Sequence, residues 1–252
     1  MKLRALALSG LFTCLLAPAA SAFDLGGLMK AGEQALQAAT LSDADVKSLA
    51  NQACVQSDSE SSIAPAKNKY SKRLDIIAKK LGSDINGQPV NYKVYLTKDV
   101  NAWAMANGCI RVYSGLMDLM TDDEVIGVLG HEMGHVALGH SKKAMQTAYA
   151  VTAARTAAGS AGNATVAQLS GSNLGEFTES LVNAQFSQSQ ESDADNFSFD
   201  VLTQKKLNRE ALASAFQKLE KLGGGEHSML SSHPASADRA KNIQAKIESS
   251  KK

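Results

Sequence analysis

The chain has 252 residues, of which 44% are hydrophobic, so it can build a globular core and a disordered chain is excluded. Its 26 basic and 25 acidic residues give a net charge of +1 without long runs of one sign, which argues against nucleic acid as a partner. Four prolines and an aromatic content of 5% favour helices over a β-sandwich or barrel.

Residues 1–22 have the pattern of a secretory signal peptide. Lys2 and Arg4 precede an apolar stretch from Ala5 to Leu16, and the small residues Ala20-Ser21-Ala22 form a cleavage site. We therefore expect export, with a mature single domain over residues 23–252. No later stretch has the ~18 unbroken apolar residues that a membrane span needs.

Cys54 and Cys109 are the two cysteines that the exported chain keeps. In an oxidising compartment each has one possible partner, which predicts a disulfide worth about 4 kcal/mol; two buried free thiols are the alternative. Cys14 leaves with the signal peptide in this interpretation. In the alternative it carries a lipid anchor, for which Leu11 three residues earlier is the supporting feature.

Helices dominate the first third of the chain. Two helical patterns lie between Gly27 and Gln56, and Ser42 with Asp45 three residues later resembles a capping box. The polar residues 56–62 predict a loop. Pro65 then opens a helix that Gly82 closes.

Three short segments predict the sheet. They are Asn91–Thr97, Val100–Ala106 and Cys109–Tyr113, and turn residues such as Asn107-Gly108 separate them. We expect a small antiparallel sheet.

A capped helix follows, because Thr121 and Glu124 form a second capping box; the pattern predicts that this helix runs to about Lys143. The segment Ala150–Ser172, rich in Ala, Gly and Ser, predicts a mobile segment or a loosely packed helix. Four further helices are predicted, at Leu174–Gln188, Glu191–Gln204, Asn208–Leu222 and Ala235–Ser249. The fold class is therefore α+β, mostly helical, in one domain.

The sequence HEMGH at residues 131–135 lies in the middle of the capped helix. Four residues advance a helix by about 400°, so His131 and His135 share one face about 6 Å apart and can grip one cation. Glu132 lies on the side where it can accept a proton from the attacking water. The motif predicts a zinc site; two solvated histidines on a helix surface are the alternative.

Catalytic zinc takes three protein ligands, and His140, Glu191 and His233 are candidates for the third. His140 lies about half a turn from the face of His131 if the helix continues, so a role at the helix end or beside a ligand is expected for it. Glu191 fits better. Asp195, one helical turn later, can accept a hydrogen bond from the far nitrogen of a ligating imidazole, although acidic pairs of this spacing also occur on solvated faces.

Taken together, these residues resemble the zinc metalloendopeptidases of metallopeptidase family forty-eight. The motifs that carry the resemblance are HEMGHVALGH at 131–140, Glu191-x-x-Ala194-Asp195, His233-Pro234 and Arg239. The resemblance covers nearly the whole exported chain. The sequence departs from the family pattern in two places. Cys14 lacks the usual context of a lipid-bearing cysteine at a signal cleavage site, and Ser187–Gln190 stands where the family often has an arginine.

The resemblance implies a single gluzincin-type domain with a small sheet beside the motif helix. It makes His131, His135 and Glu191 the ligands of one zinc ion per chain, and Glu132 the catalytic residue. It also suggests that a substrate peptide lies extended along an edge strand at 101–106.

Three features keep more than one interpretation. His233 either stabilises the oxyanion or binds the zinc as a fourth ligand and closes the site; a helix start at Pro234 explains it without function. Trp103 is either a pocket wall or core. The segment Ala150–Ser172 is either a lid or simply low in complexity.

These features predict a periplasmic zinc endopeptidase for protein quality control, which cleaves unfolded or misassembled envelope proteins or peptides. Association with the outer membrane or its assembly machinery is a further expectation. One alternative is a chaperone-like or autoinhibited zinc-binding protein with little proteolysis. Another is a purely structural metal site.

Overall fold

The computed structural model of the chain describes residues 41–159, 169, 171–223, 229–233 and 237–250. The predicted signal peptide, Cys14 and the first predicted helical pattern lie outside these residues, and so do Pro234 and the larger part of 160–170.

Helix α1 (Asp43–Glu60) begins at the predicted capping box, where the N–H of Asp45 donates to Ser42 Oγ and Asp45 Oδ2 accepts from the N–H of Ser42. It continues through most of the predicted loop 56–62, so that prediction is wrong. A tertiary contact holds this last turn in the helix: the hydroxyl of Tyr95, in the sheet, lies 3.0 Å from Ser57 Oγ and 2.8 Å from Asp58 Oδ1.

Helix α2 (Lys69–Leu81) begins four residues later than Pro65, because Asn68 caps it by accepting the N–H of Tyr70. It ends at Gly82 as predicted.

The sheet region contains five short strands. A two-stranded hairpin consists of β1 (Asp84–Ile85) and β2 (Gln88–Pro89), and a three-stranded sheet consists of β3 (Asn91–Tyr95), β4 (Ala102–Ala104) and β5 (Cys109–Tyr113). The strand order of the larger sheet is β3-β5-β4, which leaves β4 at an edge.

The expectation of an antiparallel sheet holds for only one of its two pairings. β4 and β5 are antiparallel and joined by the predicted turn, in which Gly108 has a φ of +79°. β3 instead pairs with β5 in parallel, with Asn91 opposite Cys109. After β3 the chain skips one strand position and forms β4 at the other edge of the sheet. The turn after β4 then reverses the chain, so β5 lies between the two strands and runs in the same direction as β3.

Helix α3 (Ser114–Leu119) is followed by helix α4 (Asp122–Ala137), which carries the HEMGH motif and begins at the predicted capping box. The predicted end at Lys143 is wrong. The chain turns at Gly139, whose φ is +75°, and helix α5 (His140–Gly159) starts directly afterwards.

Five helices complete the described part of the chain: α6 (Gly171–Val182), α7 (Gln188–Gln204), α8 (Glu210–Leu222), α9 (Met229–Ser232) and α10 (Ala237–Ser249). The prediction of a helix to Gln188 is wrong, because α6 stops at Val182 and Ser187 starts a new capping box with Gln190. No helix in the described ranges is long and apolar enough to cross a membrane.

The sheet separates two hydrophobic cores. Side chains of β5 alternate between them: Ile110 and Val112 belong to the core that α4, α7 and α8 share, whereas Cys109 and Tyr113 belong to the core formed with α1, α5 and α6. Helix α4 therefore lies against the sheet and is buried on nearly all sides, which places its motif inside the protein.

Helix α1 is fastened to the sheet by a disulfide and an ion pair. The predicted bond between Cys54 and Cys109 is present. Next to it Arg111, which is 1% exposed, donates two hydrogen bonds to Asp58 at 2.8 and 2.9 Å. Lys93 adds a third contact to this carboxylate at 2.7 Å.

We expect Asp58→Asn to lower the free energy of unfolding by about 3 kcal/mol, because it leaves the buried charge of Arg111 without its partner. Burial alone would raise the pKa of Asp58, but hydrogen bonds from Arg111, Lys93 and Tyr95 lower it from 3.8 to about 2. Since this pKa is lower than in the unfolded chain, the stabilisation is present above about pH 4 and is lost as the pH falls towards 2.

Urea unfolding between pH 7 and pH 2 measures both effects. Between pH 7 and pH 2 the free energy of unfolding should fall by about 2 kcal/mol less in the variant than in the parent. Asp75→Asn, on the exposed side of α2, is the control. An unchanged pH dependence in Asp58→Asn would contradict the role of this carboxylate.

Candidate metal centre

Helix α4 presents the three predicted motif residues to one place. His131, Glu132 and His135 are each at most 1% exposed, and the Nε2 atoms of the two histidines lie 3.0 Å apart. The structure therefore rejects the alternative of two solvated histidines.

Helix α7 supplies the predicted carboxylate, which is also buried. Glu191 Oε1 lies 3.3 Å from His135 Nε2, and Glu191 Oε2 lies 3.5 Å from His131 Nε2. A solvated acidic pair is thereby excluded for this helix.

Glu191 reaches the histidines because α7 lies unusually close to α4. A Cβ placed on Gly134 would lie 3.0 Å from the Cα and the carbonyl oxygen of Ala194, and one placed on Gly130 would lie 2.6 Å from Ser198 Oγ. Ser198 Oγ also donates to the carbonyl of Gly127 at 2.8 Å. The glycines and the small residues opposite them thus set the separation of the two helices.

Asp195 contacts His131 as predicted, with 2.8 Å between Asp195 Oδ1 and His131 Nδ1. This contact orients the ring so that its Nε2 points towards Glu191. Arg239, from α10, donates to both oxygens of Asp195 at 2.7 and 2.8 Å and lies 2.7 Å from Glu191 Oε2. Its guanidinium also stacks on Phe216, 4.1 Å from the ring centre.

His233 completes the cluster, and it is only 3% exposed. Its Nδ1 lies 3.0 Å from Glu191 Oε1 and 3.3 Å from His131 Nε2. Its Nε2 lies 3.5 Å from Glu132 Oε1, an oxygen that has no hydrogen-bond partner within the described residues.

Four side chains could therefore hold a metal ion: His131, His135, Glu191 and His233, whose ligand atoms all lie within 4.8 Å of one another. The contacts given above between these atoms measure 3.0 to 3.5 Å. A tetrahedral zinc site with bonds of about 2.0–2.1 Å has ligand atoms about 3.4 Å apart, so the spacing and the nitrogen and oxygen donors fit zinc.

Burial and charge adjust the titration of these groups. Burial lowers the pKa of His131 and His135, which keeps both in the neutral form that binds metals, and it raises the pKa of Glu132 to about 7. Burial alone would raise the pKa of Glu191, but hydrogen bonds from His135 and His233 lower it. For His233, the charges of the two glutamates raise the pKa against the effect of burial.

His140 touches a candidate ligand without belonging to the ligand set. Because the helix breaks at Gly139, its Nδ1 comes within 3.1 Å of His135 Nδ1. The position beside a ligand matches the sequence-based expectation, but the contact follows from the break and not from a continuous helix.

Two residues that contact the candidate ligands, Phe186 and Arg239, were given no role from the sequence. Phe186, in the loop after α6, stacks on His135 with 3.8 Å between the ring centres and on His233 with 5.3 Å. Arg239 was part of the family motif, but its two carboxylate partners had no local signal. An arginine within a predicted amphipathic helix, Ala235–Ser249, was the available indication.

The edge strand lies beside α4 as expected. Trp103 on it is 5% exposed and belongs to the core with α1, α5 and α6, which favours the core interpretation. Two backbone groups of this strand have hydrogen-bond partners within the chain. The N–H of Ala102 donates to Asn101 Oδ1, and the carbonyl of Ala104 accepts from Ser141 Oγ.

Comparison with known proteins places the chain among metalloproteases. It matches the model of peptidase family M48 over residues 67–247. It is 55% identical to the metalloprotease LoiP of Escherichia coli K12 over 248 residues, 98% of each chain, and 53% identical to the metalloprotease YcaL of the same organism over 229 residues, 90% of each chain. A protein of Vibrio cholerae serotype O1, whose name proposes a beta-barrel assembly-enhancing protease, is 23% identical over 189 residues, which are 69% of this chain and 38% of that protein.

The contact between Asp195 and His131 generates a prediction about metal affinity. Asp195→Asn keeps the size of the side chain but removes the charge that orients the imidazole, so we expect zinc to bind about 10–100-fold more weakly. Competition with a coloured chelator measures this. Asp193→Asn, an exposed carboxylate on the same helix, is the control, and equal affinities in the two variants would contradict the prediction.

Proposed function

The chain belongs to peptidase family M48 and is a metalloendopeptidase, as its motifs indicated, and we propose that it cleaves unfolded or misassembled envelope proteins in the periplasm. Its cofactor in this proposal is one zinc ion per chain. The work it performs is protein quality control.

One observation carries the proposal: a buried carboxylate that is not part of the ligand set lies directly beside it. Glu132 lies between the two candidate ligands His131 and His135 in the chain, and its Oε1 points into the cluster, where it has no hydrogen bond from the described residues. A structural zinc site needs no such group, whereas hydrolysis needs a proton acceptor.

The chain's own residues provide the remaining functions. His131, His135 and Glu191 hold the ion, which when bound polarises the substrate carbonyl and makes the attacking water more acidic. Glu132 takes a proton from that water and delivers it to the leaving amine. Burial raises the pKa of Glu132, which favours its acting first as proton acceptor and then as proton donor.

The proposed location and partners rest on the relatives and on the signal-peptide pattern of residues 1–22. The two Escherichia coli relatives are metalloproteases, and the name of the Vibrio cholerae relative refers to β-barrel assembly. Together with the expected signal peptide, this supports a periplasmic site of action. Contact with the outer membrane or its assembly machinery is part of the same proposal.

We expect Glu132→Gln to retain zinc but to lose at least about a hundredfold in the rate of cleavage, since general-base catalysis contributes 10²–10⁴-fold. Glutamine has nearly the same shape and cannot accept the proton. Zinc content and the digestion of a disordered test protein give the two measurements. A variant that cleaves as fast as the parent would show that Glu132 is not the base.

A second candidate function is an autoinhibited or chaperone-like zinc protein, and the position of His233 favours it. With His233 the ligand set has four members at tetrahedral spacing, whereas catalytic zinc sites keep one position open. If all four side chains bind the ion, His233 would take the position that a catalytic site leaves for the attacking water. We therefore propose that His233 acts as a latch and must withdraw before substrate is cleaved.

His233→Ala tests the latch directly. If the closed form dominates, removing the imidazole should raise the rate of cleavage about tenfold, because more molecules are competent at any time. Zinc content should stay at one per chain. A fall in the rate at unchanged zinc content would overturn the latch and favour stabilisation of the oxyanion by His233 instead.

A further inference from the structure

A groove runs between helices α5 and α6 and ends at the candidate metal centre. Its volume is about 380 Å³, which lies within the usual range of ligand sites. One wall is a stripe of α5 that extends from His140 to Arg155, and α6 provides the other wall with Glu176 and Ser180.

The near end of the groove touches residues of the metal centre. His140 and Phe186 both line it, and each also contacts the His135 ring, at 3.1 Å between Nδ1 atoms and at 3.8 Å between ring centres. Gln190, also in the lining, directly precedes Glu191. The near end of the groove therefore lies against the His135 ring, on the side of its Nδ1, while its Nε2 faces the other candidate ligands.

The length of the groove suits several residues of a polypeptide. From His140 to Arg155 helix α5 rises about 22 Å, and an extended chain covers that distance with about seven residues. Ala144 and Ala148 take up little room along the stripe, so space remains for a main chain with its side chains.

The chemistry of the lining does not select one particular side chain. Thr147, Ser180 and Gln185 offer hydroxyl and amide groups, which can exchange hydrogen bonds with peptide groups of any sequence. At the far end the two charges have opposite signs and pair, since Arg155 Nη1 lies 3.7 Å from Glu176 Oε2, and both side chains are largely exposed. Lys143 adds one positive charge nearer the metal centre. Such a lining fits an unfolded polypeptide better than a charged small molecule.

We propose that this groove binds the substrate polypeptide outside the catalytic centre and thereby favours long unfolded chains over short peptides. The inference rests on the proposed peptidase function, because it assigns the groove to the substrate of that site.

Filling the groove tests the inference. In Ala144→Leu and Ala148→Leu a larger side chain enters the groove, while helix propensity stays nearly the same. Two quenched peptides share one cleavage site and contain about four and about twelve residues, of which only the longer can span the groove. In both variants the KM of the long peptide should rise at least about fivefold more than that of the short one.

Two further variants protect the test against a folding defect. Thr147→Trp enters the groove from an exposed position, so it should reproduce the selective rise in KM even if Ala148→Leu unfolds. Ala245→Leu places the same new side chain on the exposed face of α10 and should change neither KM. Equal effects on both peptides, or the same selectivity in Ala245→Leu, would overturn the groove as a substrate site.

A binding measurement separates this inference from the proposed function. Fluorescence anisotropy of a labelled twelve-residue peptide, about the length used above, reports binding without cleavage. If the parent cleaves nothing but binds the peptide, and Ala144→Leu weakens that binding about tenfold, the peptidase proposal fails and the groove stands. If the parent cleaves and the groove variants bind the peptide as tightly as the parent does, the proposal for the groove fails and the peptidase proposal stands.

Discussion

Helices α4 and α7 can share a metal centre because no Cβ stands between them at Gly130 and Gly134. Ala194 and Ser198 occupy the space that side chains there would need, at 3.0 and 2.6 Å from where a Cβ would lie. Any larger residue would push the helices apart, and Glu191, which lies on the same helix as Ala194, would move away from the histidine pair. The position of the carboxylate thus depends on close backbone packing, and the cluster depends on the carboxylate.

Buried charge gives the centre a second constraint. Glu132, Glu191 and Asp195 contribute three negative charges when ionised, and Arg239 contributes one positive charge, so the cluster has a net charge of −2 when its imidazoles are neutral. Buried charges are costly unless they are paired. A divalent cation brings this net charge to zero, which gives an electrostatic reason for the affinity of the cluster for such an ion. It also explains why Arg239 bridges two of the carboxylates rather than facing solvent.

The errors in the predicted elements have a common cause. Capping boxes at Ser42, Thr121 and Ser187 follow local rules, and the first two were predicted correctly. The end of α4 was misplaced because helical periodicity continues through residue 143, and this pattern outweighed the stop signal of Gly139, which adopts a left-handed conformation. The parallel pairing of β3 with β5 was missed for a related reason, since the hydrophobic alternation of a short strand does not encode the direction of its neighbour.

The sequence by itself determined the register of His131, Glu132 and His135, because helical spacing is a local property of the chain. It also indicated Glu191 and Asp195, as well as the disulfide of Cys54 with Cys109. Only the tertiary structure decided which distant side chains surround this motif. His233 and Arg239 lie about a hundred positions further along the chain than His131, and Phe186 lies in a loop without periodicity. Their convergence arises from the packing of helices against one another, and no repeating pattern in the sequence records it.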